Sequence, residues 1–335
     1  MLRRETFLGG LVAAGAGIAL APQTGFAQTR KRIDVHYHYA PPVWLSAAKA
    51  VSPAGQQVWD AWSTQRAVSD LDQNGVQKAL LSISSPGLFF GDAAVAGRLA
   101  RACNEYAATM VADHPGRFGT FLALPLPDIE ATLHEVAYGL DTLKADGVGM
   151  FTSYGGKLLG DPIFAPLFEE LDRRRALIFV HPTSPACCSN VVPGIADANI
   201  EYATDTTRAI VRMIFSGSSR RYPNIRMIWS HAGGTLPFLN FRFIREAQLE
   251  RYKTLLPDGY LPEARRFYYD TAQAAQAAPM GALLKTVPLS HIVFGTDYPY
   301  LSIRENVEGL RATGIFSTAD LAALDNNAAS LLRSS

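Results

Sequence analysis

The chain has 335 residues, with 31 Lys and Arg against 30 Asp and Glu for a net charge of +1, and is 48% hydrophobic and 18% charged. That composition excludes an intrinsically disordered chain. The balanced charge, with no basic run after residue 32, gives no footprint for nucleic acid.

Residues 1–27 open on Arg3 and Arg4, continue as an apolar run from Phe7 to Ala21 and end on small residues at Gly25 and Ala27. This is the layout of a cleavable export signal of twin-arginine type. The expectation is periplasmic delivery with no stable membrane span after cleavage. The alternative is a membrane anchor through an uncleaved signal.

From residue 32 onward, short apolar runs alternate with longer segments of helical period. Strands are predicted at 32–38 (RIDVHYH), 78–84 (KALLSIS), 118–126 (FGTFLALPL), 147–153 (GVGMFTS), 177–183 (LIFVHPT), 226–232 (RMIWSHA), 267–272 (FYYDTA) and 292–298 (IVFGTDY). Segments 98–112 and 163–175 carry 3.6-residue apolar spacing between them. Near-continuous apolar strands alternating with helices imply a parallel sheet covered on both faces, and eight of them imply an α/β fold of the (β/α)₈ TIM-barrel type over residues 32–332. Two stretches read as loops at the functional face: 185–199 after the fifth strand, and the segment with Pro41, Pro42 and Trp44 before a helix near Ser63. Three cysteines, two of them adjacent at Cys187 and Cys188, cannot staple a chain this long and read as structural thiols.

His36, His38, His181, His231 and Asp297 all fall at the C-terminal ends of otherwise apolar strands. In a barrel that end is the mouth where catalytic groups converge. His36 and His38, two apart on one strand, point the same way and can hold one ion together. His181 and Asp297 complete a mixed nitrogen and oxygen set suited to zinc or a similar divalent metal. By contrast, His114, His134 and His291 sit in a turn, in a helix and before the last strand, and read as structural.

The stretches IDVHYH, RAVSDLDQNGV, FVHPTSP, WSHAGGTLPF and FGTDYPY, spread over residues 32–332, resemble the amidohydrolase superfamily of metal-dependent hydrolase-type barrels. They look most like its aminocarboxymuconate-semialdehyde decarboxylase branch, with the resorcylate and methylsalicylate decarboxylases. The resemblance implies that His36, His38, His181 and Asp297 hold one divalent ion, usually zinc with manganese as the alternative, and that His231 acts as an acid/base or polarising group. Met150 and Phe151 stand where two-metal relatives carry a bridging lysine or glutamate, so a single ion is implied. The segment IEYATDTTRAIVRMIFSG resembles a methylsalicylate-decarboxylase helix, with an N-cap role expected of Asp205 or Thr206. The loop after the first strand is too short for the substrate-binding insertion of the muconate-semialdehyde enzyme, whose substrate is therefore not expected. Arg242, or Arg245 nearby, matches an arginine that in a relative reaches a neighbouring subunit's pocket, which implies a homodimer.

The activity implied is non-oxidative decarboxylation of an ortho-hydroxybenzoate such as a salicylate, without an organic cofactor. Asp297 would deliver the proton, and Trp44, Phe89, Phe90 and Tyr298 would wall an aromatic or unsaturated carboxylic acid. The alternative is hydrolysis of a lactone, ester or amide, with Asp297 as base toward a metal-activated water. A third reading, a binding protein without catalysis, is disfavoured because all five site residues are present.

Overall fold

The computed structural model describes residues 32–52 and 55–332. The segment read as an export signal lies outside them. Eight parallel strands form one sheet in sequence order: β1 Arg32–His38, β2 Val76–Ser82, β3 Phe118–Leu122, β4 Gly147–Phe151, β5 Leu177–His181, β6 Arg226–Trp229, β7 Tyr268–Asp270 and β8 Ile292–Val293. Their apolar runs become strands because both faces of each are buried, one by the barrel interior and one by the helices. A small hairpin, Ser153–Tyr154 with Lys157–Leu158, follows β4.

Beyond β8 the backbone stays alongside β1 and closes the barrel. Val35 N donates to Phe294 O at 3.0 Å, Asp297 N to His36 O at 2.8 Å, and His38 N to Tyr298 O at 2.8 Å. The closing seam thus runs through the same residues that were expected to carry chemistry. Gly295 makes it possible, since a Cβ there would stand 2.9 Å from both Asp270 Cβ and His36 Cβ. β1 also carries a bulge, with Asp34 opposite Ala79 and Tyr37 opposite Leu81, so three steps on one strand match two on the other. Such irregularities re-aim side chains at functional sites. Here Val35 joins the interior apolar cluster while His36 and His38 still face the mouth.

Val35, Leu80, Phe121, Leu177, Phe179, Ile228 and Val293 fill the interior below the mouth, and Ala328 and Leu331 extend that cluster. The barrel is a packed core with a polar rim, not a channel. Around it lie α1 Pro42–Val51, α2 Thr64–Gln73, α3 Ala93–Asp113, α4 Ile129–Asp141, α5 Ala165–Arg173, α6 Glu201–Phe215, α7 Leu236–Glu246, α8 Ala277–Thr286, α9 Ile303–Ala312 and α10 Thr318–Asn327. Side-chain caps start several of them, including Asp92 on α3 and capping boxes at Ser302 and Ser317. Among the described residues no helix is long and apolar enough to cross a membrane.

Two local expectations are corrected. The stretch after β1 expected to be a loop contains α1, because Pro42 occupies the first helical turn, where its missing N–H and fixed φ suit a helix start. Asp205 and Thr206 do not cap α6, which begins at Glu201 behind Ile200. Both are buried inside the helix, and Asp205 accepts a hydrogen bond from Thr152 Oγ1. The 185–199 segment is a loop, with only two short turns of 3₁₀ helix.

Candidate active site

The five strand-end residues converge. His36 Nε2 lies 3.1 Å from His38 Nε2 and 3.1 Å from Asp297 Oδ1, and His38 Nε2 lies 3.0 Å from the same oxygen. His181 Nε2 is 4.0 Å from Asp297 Oδ1, and His231 Nε2 is 3.4 Å from Asp297 Oδ2. One ligand atom from each of His36, His181, His231 and Asp297 falls within 4.8 Å of all the others. His231, expected beside the ion, is therefore as close to the centre as the expected ligands.

The outer contacts of the imidazoles decide which nitrogens face inward. His36 Nδ1 is 2.7 Å from Asp270 Oδ2, His38 Nδ1 is 3.2 Å from Ser82 O, and His181 Nδ1 is 2.8 Å from Pro182 O. Each of these oxygens can accept a proton carried on Nδ1, and in that tautomer each Nε2 turns a lone pair inward. In that tautomer three lone pairs and a carboxylate oxygen face one another. A further inward nitrogen, His231 Nε2, is buried without a well-aligned hydrogen bond. A cation satisfies all of these atoms together. Bonds of roughly 2.0–2.2 Å from nitrogen and oxygen to a zinc-like ion place neighbouring ligand atoms about 3–4 Å apart, the range in which Asp297 Oδ1 stands from His36, His38 and His181. The residues fit one divalent ion.

The electrostatics agree. Burial works against charge on His36, but the Asp270 and Asp297 carboxylates outweigh it and push its pKa up to about 10. With no other cation, a proton there is the nearest positive charge those carboxylates can hold. A divalent ion supplies that charge and frees Nε2 as a ligand. His181 is held well below its ordinary value by burial and by the neighbouring His38 and His36, and His38 is lowered by burial. Asp297 is held well below its ordinary value against the upward pull of burial, chiefly by the positive charge at His36 and by the imidazoles packed around it.

The carboxylates behind the centre fix the backbone as well as the rings. Asp270 Oδ1 accepts the N–H of His231 at 2.7 Å and of Ala272 at 3.0 Å while its other oxygen holds His36. Asp34 accepts from His36 N at 3.0 Å and from Thr296 Oγ1 at 2.5 Å, tying β1 to the chain after β8. Its burial lifts its pKa to about 7 against those hydrogen bonds. His231, Gln273 and Asp297 all have left-handed backbones, with φ of 54°, 54° and 66°. Such conformations persist in non-glycine residues only where surrounding bonds over-determine them. Gln273 Nε2 donates to Asp297 Oδ2 at 3.0 Å. Sequence reasoning missed Asp270, Gln273 and Asp34. Asp270 and Asp34 had a usable signal, as acidic residues in otherwise apolar strands, whereas Gln273 had none.

The expected aromatic wall is placed differently. Tyr298 faces the helices, stacked on Tyr37 at 4.5 Å with its hydroxyl on Asp70 at 2.8 Å, and Tyr300 faces the mouth instead, 5.9 Å from the His38 ring. Trp44 is fully buried behind Trp59, donating to Gly87 O at 2.9 Å, and Trp59 separates it from Tyr300. Phe89 lies on the exposed outer side of its loop, and its neighbour Leu88 turns inward. Phe90 is half-buried against the core. Tyr202 approaches His181 at 6.0 Å from α6, and Phe151 does so at 6.0 Å from β4, which offers no lysine or carboxylate for a second ion. Arg242 and Arg245 are exposed on α7.

Barrel and site together define an enzyme with a buried metal site at the mouth of the barrel. The family model described as amidohydrolase matches residues 33–333, and the chain belongs to that family. It is 36% identical over 288 residues to decarboxylase yanB of Aspergillus niger, covering 81% of this chain and 78% of that one. It is 35% identical over 292 residues to 6-methylsalicylic acid decarboxylase acuB of Aspergillus aculeatus, covering 80% and 84%. The fold superposes on a dihydroxybenzoic acid decarboxylase from Polaromonas sp., solved with manganese and the inhibitor 2-nitroresorcinol, with a TM-score of 0.77 at 22% identity, covering 90% of this chain and 96% of that one.

Proposed function

We propose that the protein is a metal-dependent, non-oxidative decarboxylase of an ortho-hydroxybenzoate, a salicylate-type aromatic acid. The observation that carries this reading is the division of labour within Asp297, whose Oδ1 joins the lone-pair cluster while Oδ2 faces His231 and Gln273. One oxygen is positioned for a metal and the other for a proton. The 35% and 36% identical relatives bearing decarboxylase names support the same reading.

His36, His38, His181 and Asp297 would hold the ion, with His231 beside it. When bound, such an ion would supply positive charge against the carboxylate and the neighbouring phenolic oxygen. Zinc suits the nitrogen-rich donor set, and manganese, present in the Polaromonas decarboxylase, is the alternative. Asp297 is ionised before substrate arrives, so the phenolic proton released as the acid binds is the one its Oδ2 can accept. Asp297 returns that proton to the ring carbon bearing the carboxyl group. That proton forms the new C–H bond with a π pair of the ring, the carbon–carbon bond breaks, CO₂ leaves, its bonding pair restores the aromatic ring, and the phenolate left behind takes a proton from solvent to become the phenol. His231 and Gln273 hold Oδ2 on the substrate side through this transfer. Tyr300, Tyr202 and Phe151 surround the ring.

Two further features are part of the proposal. The paired arginines and apolar run at the start of the chain support periplasmic delivery. Arg242, exposed on α7 alongside Phe238 and Phe241, which are 64% and 70% exposed, supports a homodimer that uses this helix. Mass-spectrometric product analysis after incubating the zinc- or manganese-loaded protein with salicylates and aryl lactones tests the activity. Loss of CO₂ from a salicylate, at least about a hundredfold slower in Asp297→Asn, is expected. Addition of water to a lactone or ester, with every salicylate untouched, would move the protein to the hydrolases.

A further inference from the structure

Of the three cysteines expected to be structural, only Cys103 is buried; Cys187 is exposed and Cys188 is half-buried. The adjacent pair lies in the 185–199 loop, in a short 3₁₀ turn, Ala186–Cys188, where Cys188 N donates to Pro185 O at 3.0 Å. In that turn the two thiols share a hydrogen bond. The loop joins His181 to the helix that carries Tyr202, so both of its ends reach the mouth. Arg208 extends from the same helix to the thiols. Its Nη2 donates to Cys188 Sγ at 3.8 Å, while its Nη1 stands 3.5 Å from Glu201 Oε2 and 3.8 Å from Asp205 Oδ1. The two carboxylates hold the guanidinium against the sulfur.

A thiolate opens a disulfide by attacking one of its sulfurs, and a second thiol close by resolves the mixed disulfide that forms. The surroundings set the order of events here. The bond to Cys187 pushes the Cys188 thiol up against the opposing pull of Arg208. Cys188 therefore keeps its proton, and the more exposed Cys187 meets an incoming disulfide first. Once the Cys187 sulfur is capped, that bond no longer holds the Cys188 proton. Arg208 remains beside it and favours the second thiolate. Neighbouring Cα atoms stand about 3.8 Å apart, closer than the roughly 4.4–6.8 Å of ordinary disulfides. A bond between these sulfurs is strained and easily reduced, which suits a reversible modification and not a structural staple. Cys103, whose thiol burial pushes up to about 12, takes no part.

We propose that Cys187 and Cys188 form a redox modification site for low-molecular-weight disulfides, with Arg208 as the positioning residue that promotes ring closure. The Cys187 sulfur attacks the reagent, whose S–S bond breaks and releases one thiolate. The Cys188 sulfur then attacks the Cys187 sulfur and releases the second. Both protons go to the released thiolates, so the protein loses two hydrogens and the reagent becomes two thiols. The site is independent of the reaction at the metal centre, and it fits the periplasmic delivery proposed above, since disulfides persist in oxidising compartments.

The test incubates the native protein with oxidised glutathione and follows its intact mass, with peptide mapping of the product. The wild type is expected to lose two hydrogens, retain no glutathione and carry a Cys187–Cys188 bond that dithiothreitol reverses. Cys188→Ser should stop at one glutathione on Cys187. Arg208→Gln should accumulate that mixed disulfide because its closing step is slower by roughly threefold or more, and Arg208→Lys, which keeps the charge, should restore closure. Glutathione retained by the wild type, a disulfide that involves Cys103 or a second chain, or no reaction at all overturns the proposal. Closure at the wild-type rate in Arg208→Gln overturns the role given to Arg208.

Discussion

The two halves of the barrel mouth solve opposite problems. On β1 and β6 to β8, buried charge is concentrated in Asp34, Asp270 and Asp297, and every one of these carboxylates accepts hydrogen bonds or faces imidazoles. Left-handed backbones at His231, Gln273 and Asp297 cluster in the same half. On β2 to β5 the mouth is walled by Leu88, Leu124, Gly149 and Phe151, and only His181 belongs to the centre. Burying charge costs several kcal/mol per ion unless it is paired and hydrogen-bonded, so the polar half is over-bonded and rigid. The apolar half needs no such scaffolding and can be shaped to a ligand. Charged groups and apolar wall thus lie on opposite sides of the histidine cluster.

Substitutions on the two sides should fail in different ways. The largest effect on stability is expected from the apolar interior. Phe121→Ala removes a fully buried ring stacked at 5.3 Å on Phe179 and should lower unfolding free energy by about 3–5 kcal/mol. Metal affinity, measured by chelator competition, should change little. The reverse pattern is expected for Asp270→Asn, which keeps the shape but weakens the hold on His36 and on the His231 backbone. Metal affinity should fall by roughly 10- to 100-fold while the thermal midpoint moves modestly. Equal losses of affinity in both variants would erase the distinction between the halves. The smallest effect belongs to Tyr298→Phe, which removes the hydroxyl that donates to Asp70 on the helix side. About 1 kcal/mol of stability should be lost in chemical denaturation, with kcat unaltered. A large drop in kcat would return Tyr298 to the substrate wall.

Much of this was legible in the chain itself, and the pattern of what was not is physical. The eight strands were readable because continuous apolar runs identify a sheet buried on both faces, although regular pairing ends sooner than the runs do, at Leu122 rather than Leu126 and at Val293 rather than Tyr298. The centre was readable because histidines are scarce and strand periodicity brings His36 and His38 to one side. The acceptors behind them were harder to see. Asp270 acts through both of its oxygens on residues distant in sequence, and no spacing rule announces such a contact. The aromatic wall failed for a local reason. The left-handed backbone at Asp297 redirects the chain, so that Tyr300 faces His38 and Tyr298 turns to the helices. Trp44 was misplaced because its predicted loop is a helix that buries it.

The most direct test of the central claim is a metal titration read by CO₂ release. Chelator-stripped protein would be reloaded with increasing zinc or manganese while turnover of a salicylate and bound metal per chain are followed together. Activity that rises from background and saturates at one ion per chain is the expected result. CO₂ release undiminished in the stripped protein, or activity that requires two ions per chain, would contradict a single metal centre as the seat of decarboxylation.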